Sequence, residues 1–229
     1  MLHTLTAVGL GALLGVRHSV EPDHLAAVST LVQSERSPMR GALLGALWGL
    51  GHTAALLAVG VVLALVGGEL PPRLAEVFEF GVALMLLGLG LRAIQRATAR
   101  GQVGPAHTHH HLGRAHHHHG PAGHVHLGRW TFAARPLLVG VVHGLAGSGS
   151  LTALVLAGLP TTAARLGYIL LFGLGLVAGM AVLSGLAGLP LSRAGRNPRV
   201  ARVLGLTTGT FSAVLGVLWG LPLLRGWLA

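Results

Sequence analysis

GALLGALWGLGHTAALLAVGVVLALV, residues 41–66, holds no Asp, Glu, Lys or Arg, and His52 is its one ionisable side chain. As a helix rising ~1.5 Å per residue it is roughly 39 Å long, enough to cross the ~30 Å hydrocarbon layer of a bilayer. It has neither a polar stripe at helical period nor the alternation of a half-buried strand, so its outer surface is solvated by lipid. The stretches 136–159 and 203–224 read the same way, and the whole chain of 229 residues is 52% hydrophobic and 10% charged.

Working outward from this segment, six spans emerge at 4–31 (broken near Pro22), 41–66, 77–95, 136–159, 164–189 and 203–225. The expected fold is an all-α polytopic membrane protein. The first apolar segment has no basic leader and no small-residue cleavage site before its His and Asp cluster, so it is read as a retained span. Glycines at 41, 45 and 49, and at 205 and 209, place small residues on one helix face and are read as packing positions.

All sixteen basic residues are Arg. A net charge of +10 would suggest nucleic acid in a soluble protein, but arginines flanking apolar spans are what orients membrane helices, and no nucleic-acid role is expected. Arg36, Arg40, Arg92, Arg96, Arg100, Arg114, Arg129, Arg135, Arg193, Arg196, Arg199 and Arg202 fall on one side of a six-span layout. Arg73, Arg165 and Arg225 fall on the other. The first side is therefore expected in the cytoplasm of a bacterial inner membrane, with both termini outside. Without Lys there is no phosphate loop of the GxxxxGK[ST] type, and without Cys there are no disulfides and no thiolate ligands.

The halves are alike. LLGVRHSVEPDHLAAVSTL at 13–31 matches LLVGVVHGLAGSGSLTALVL at 137–156 when His18 is laid on His143, and WGLGHTAALLAVG at 48–60 matches FGLGLVAGMAVLSG at 172–185. Three spans per copy is an odd number, so the two copies are expected to be inverted in the membrane about a midplane site. The domains are then a first repeat at 1–95, a His-rich cytoplasmic loop at 96–135 and a second repeat at 136–229.

Ionisable groups within spans cost a few kcal/mol each, roughly 2.5–3.5 at a helix centre, and point to a pathway. Here they are His18, Glu21, Asp23, His24, His52 and His143, with Glu79 near a span start. On a regular helix His24 lies about 120° and Asp23 about 140° round from His18. Pro22 is expected to distort the helix and to leave the His18 carbonyl free for an ion. Imidazole, carboxylate and carbonyl suit Ni, Co, Zn or Mn. The alternative use of the same residues is a hydrogen-bonded polar cluster between helices.

The motif RHSVEPDHLAAVST resembles the H-x-x-x-x-D-H signature of the nickel/cobalt transporter family, and GLGHTAALL resembles that family's second histidine motif. VVHGLAGSGSL at 141–151 is similar to the matching helix of the short, urease-accessory type of nickel permease. The later stretch LFGLGLVAGMAVLSG at 171–185 has no carboxylate where the longer members carry an acidic motif, so the short type fits better. The resemblance implies uptake of Ni(II) or Co(II) as cargo, with no permanently bound cofactor. It implies metal-ligand roles for His18, Asp23 and His24 and a supporting role for His52, and it makes His143 a ligand from the second repeat. Its partners are the metal ion and the lipid bilayer, and any nickel-enzyme maturation partner is unspecified.

Three other readings compete. The same architecture serves metal efflux by proton antiport. Arg17 beside the cluster, read as an anion clamp, suggests a related sulfite or organic-anion exporter, although it is more simply a salt-bridge partner for the cluster's acids. An intramembrane metallohydrolase is disfavoured because no H-E-x-x-H is present, so no enzyme is expected.

Two further histidine features stand outside the spans. HTHHHLGRAHHHHGPAGHVH, residues 107–126, carries ten histidines and is read as a disordered, metal-buffering tract. Met1-Leu2-His3 places a histidine third from the amine, where such a terminus wraps Ni(II) or Cu(II) in a square plane of nitrogens.

Overall fold

The computed structural model describes residues 2–32, 37–66, 70–99, 107–111, 114–118, 124–127, 130–146, 159, 161–194 and 197–228. Its helices are α1 Leu2–His18, α2 Pro22–Val32, α3 Pro38–Val66, α4 Pro72–Thr98, α5 Ala134–Leu145, α6 Thr162–Ala194 and α7 Pro198–Leu228. The starts of four of them are written in the sequence. Pro22, Pro38, Pro72 and Pro198 each occupy the first helical position, where a missing N–H costs nothing and the fixed φ suits the helix. Asn197 Oδ1 accepts the Arg199 N–H at 3.0 Å, and Thr161 Oγ1 accepts that of Ala164 at 3.2 Å, capping α7 and α6.

Among the described residues, four helices are long and apolar enough to cross a membrane: α3, α4, α6 and α7. Four of the six expected spans are matched by these helices, and the other two differ as follows. The span read at 4–31 is two helices of 17 and 11 residues meeting at residues 19–21. The span read at 136–159 is helical through Leu145, and 147–158 lie outside the described residues. The described residues of the membrane body are helical apart from short turns.

Among the described residues, strands occur only in the long connection, whose histidine-rich tract 107–126 was expected to be disordered. There β1 His107–His111 pairs with β2 Arg114–His118, and β3 His124–Leu127 with β4 Trp130–Ala133, as two antiparallel hairpins. Such two-stranded units are marginal on their own.

Helix α6 is the most buried of the four spans. It packs against α3 on one side and α1 on the other, while α5 lies on α3 and α4 pairs with α7. Small residues permit these approaches. Gly41 and Gly45 of α3 face the Ser184 and Met180 backbone of α6, and Gly209 of α7 faces Gly90 of α4, which confirms the packing role read for the glycine series. Ser212 Oγ on α7 donates to the Leu86 carbonyl on α4 at 2.8 Å. Leu84, Leu174, Val182, Leu186 and Leu218 point outward, as lipid-facing positions must.

Candidate metal centre

The first half-helix ends in a tightened turn. Ser19 N–H bonds the Gly15 carbonyl at 3.2 Å, Val20 N–H that of Arg17 at 3.2 Å, and Glu21 N–H that of His18 at 3.1 Å. Leu25 N–H to the Glu21 carbonyl, at 3.0 Å, then opens α2. Pro22 therefore starts a new helix rather than kinking an old one. The His18 carbonyl, expected to be free, accepts the Glu21 N–H instead.

The break re-aims the side chains. The His18 and His24 rings lie 4.5 Å apart, where a straight helix would have turned them to different faces. His52 reaches the same place from α3, its ring 5.3 Å from that of His18 and 5.5 Å from that of His24. His143 arrives from α5, 4.4 Å from His24 and 6.0 Å from His52. It gets there because Gly140 and Gly144 on α5 face the backbone of Trp48 and His52 on α3, and no Cβ fits at either position.

Asp23 holds two of the rings. Its Oδ1 lies 3.1 Å from His24 Nδ1 and its Oδ2 2.5 Å from His143 Nε2. With each of these nitrogens donating to the carboxylate, the opposite ring nitrogens, His24 Nε2 and His143 Nδ1, carry lone pairs and have no partner. His18 is held likewise, its Nδ1 2.8 Å from Glu21 Oε2 and its Nε2 unpartnered. Neither nitrogen of His52 has a partner. All five residues are buried, His24 completely.

Two overlapping triples can hold a divalent ion, His18 with His24 and His52, and Asp23 with His24 and His143, the ligand atoms of each lying within 4.8 Å of one another. A carboxylate that holds one nitrogen of an imidazole and leaves the other without a partner is the arrangement found around metal-binding histidines. Imidazole and carboxylate without sulfur fit a borderline divalent cation.

The structure thus brings together His18, Asp23, His24, His52 and His143. His3 falls in the first turn of α1, and its side chain lies outside the described residues. Arg17 is exposed and makes no ion pair with Glu21 or Asp23, for which it was read as a clamp or salt-bridge partner; those acids pair with His18, His24 and His143 instead. Trp48 went unread. Its ring is parallel to that of His24, 6° between planes and 5.4 Å between centres, and it also contacts His143 at 5.6 Å. The spacing W-x-x-x-H, which puts Trp48 one turn before His52 on the same helix face, was the available signal.

Residues 4–197 match NicO, the family described as high-affinity nickel-transport protein. The chain belongs to this family. It is 33% identical over 217 residues to the urease accessory protein UreH of Bacillus sp. (strain TB-90), covering 93% of this chain and 90% of that one. It is also 30% identical over 178 residues to the chloroplast protein FOR GROWTH AND FERTILITY 2 of Arabidopsis thaliana, covering 77% of this chain and 45% of the plant protein. No solved structure matches. Family membership and the four apolar helices make the chain a multi-pass metal permease and not an enzyme, with nickel as cargo rather than resident cofactor.

Proposed function

We propose that this chain takes up Ni(II) across a bacterial inner membrane, binding the ion on its way at His18, Asp23, His24, His52 and His143. The observation that carries the proposal is the convergence of four buried imidazoles, each with an unpartnered ring nitrogen, around one carboxylate. A polar cluster serving only as glue between helices would satisfy those nitrogens. Co(II) has similar ligand preferences and is the second expected cargo.

His52 is the middle residue of α3, about 21 Å from either end at ~1.5 Å per residue. On this reading the site sits near mid-membrane depth, where an inverted repeat would hold its substrate. The packing is consistent with that repeat. With α1 and α2 as counterpart of α5, α3 of α6 and α4 of α7, the pairs α3–α6 and α4–α7 map onto themselves, and α1–α6 maps onto α5–α3. With the Arg-rich connections cytoplasmic, an inside-negative potential favours inward movement.

Arg17 is exposed, so it gives an anion exporter no buried guanidinium at the cluster. Proteoliposomes of defined orientation, loaded with radiolabelled Ni, Co or Zn in turn, test the reading. Ni flux should be fastest and should vanish in His18→Ala, Asp23→Ala and His24→Ala, with the protein still folded in the membrane. Normal flux in any two of these variants refutes the site, and sulfite flux with none for metal refutes the function.

A further inference from the structure

Glu21 fills the third of the four x positions between His18 and Asp23, outside the ligand set, yet it is bonded to the cluster and exposed at once. Its Oε2 is 2.8 Å from His18 Nδ1, and its side chain is 49% accessible while that of His18 is 8%. Depth makes this exposure informative. His18 is in ring contact with His52, at the middle of the 29-residue α3, so the mid-membrane depth proposed for the site puts the carboxylate bonded to it near the bilayer centre. An ionised carboxylate facing hydrocarbon there would cost several kcal/mol, so its exposed half must face water. Arg17, exposed one turn earlier at the end of α1, adds a second ionisable group beside the same break.

Given the nickel reading above, on which this rests, we infer that Glu21 marks the mouth of the site: a water-reached carboxylate that captures the divalent cation and hands it to His18. The bond to Nδ1 keeps that nitrogen protonated and leaves the Nε2 lone pair, which has no partner, for the ion. Outside the bundle Glu21 offers a negative charge to a hydrated cation. Inside it sets the tautomer of the first imidazole the ion meets. The helix break at residues 19–21 is what brings one side chain to both surfaces.

Because the chain has no cysteine, Glu21→Cys can be labelled with no background thiol. In proteoliposomes the charged reagents 2-sulfonatoethyl and 2-trimethylammonioethyl methanethiosulfonate should both react, the first restoring a negative charge and part of the Ni uptake, the second abolishing it. Leu174→Cys, on the lipid-facing surface, should react with neither. Glu21→Gln, which keeps an acceptor for His18 Nδ1, should raise the KM for Ni about tenfold with kcat within twofold, whereas Glu21→Ala should lower both kcat and equilibrium Ni affinity. A Glu21→Cys protein unreactive to both reagents, or equal effects of both labels, overturns the inference. So does unchanged KM in Glu21→Gln. Failure of the nickel reading itself is distinguishable, since it shows as absent Ni uptake in the unmodified protein.

Discussion

At the scale of the residue, the site is a matter of which nitrogen each ring keeps free. Asp23 and Glu21 between them occupy one nitrogen on three of the four histidines, and the remaining nitrogens are buried without a partner. Trp48 adds the constraint no hydrogen bond supplies: its face against the His24 ring fixes the rotation of an imidazole that is completely buried. Trp48→Ala should therefore lower Ni affinity about tenfold, or about 1.4 kcal/mol, while Trp48→Phe, which keeps an aromatic face, should lose less than threefold. Equilibrium Ni binding in detergent measures both, and equal losses would show that Trp48 acts by filling volume alone. His18, Asp23, His24, His52 and His143 were all legible in the sequence, because ionisable groups in apolar runs are conspicuous. Trp48 and the bond from Glu21 were not. A tryptophan in an apolar span is unremarkable until α5 and α2 are packed against it, and those contacts join segments about 95 and 25 residues away in sequence.

At the scale of the element, the decisive feature is a helix that stops and restarts. The sequence marks the place with Pro22, but the mechanism read from it, a freed His18 carbonyl in a kinked helix, differs from what is found. Proline at a first helical position and proline in a helix interior look identical in one sequence, since the difference lies in whether the four preceding residues remain helical. Here Ser19 and Val20 form a turn and Glu21 a bend. The consequence for Pro22→Ala is concrete. In a helix interior the change would be worth roughly 3 kcal/mol and would straighten the segment, rotating Asp23 away from His18. At the first position of α2 it adds only an N–H that α2 does not need. Thermal stability should shift by less than about 1 kcal/mol, and Ni affinity should stay within threefold. Denaturation with and without Ni measures this, and a tenfold loss of affinity joined to a gain in stability would restore the kinked-helix account. Helix positions were otherwise readable to within a few residues, α4 and α7 being longer than expected because Pro72 and Pro198 start them ahead of the apolar runs.

At the scale of the whole molecule, the proposed division of labour is between the helical body, which holds the buried cluster, and the histidine-rich connection, read as cytoplasmic. Deleting 107–126 should leave the initial rate of Ni uptake within twofold and reduce the metal bound per protein at saturation, because the tract binds ions after the body has released them. Proteoliposome flux beside equilibrium dialysis separates the two quantities, and loss of flux would make the tract part of the path.

The driving force is also a property of the whole. With no GxxxxGK[ST] loop in the sequence, the fuel is expected to be a gradient or a partner, and on the uptake reading the membrane potential is sufficient. An inside-negative potential of 100 mV contributes about 2.3 kcal/mol per charge and so about 4.6 kcal/mol for a divalent cation. At 1.4 kcal/mol per tenfold this supports an equilibrium accumulation on the order of two thousandfold. In liposomes holding a potassium diffusion potential set with valinomycin, Ni uptake should be fast with the cytoplasmic face negative and should stop when the polarity is reversed. A pH gradient imposed at zero potential should have little effect. Proton antiport for efflux requires the opposite dependence, with flux driven by the pH gradient, and that result would reverse the direction assigned to this permease while leaving its metal site in place.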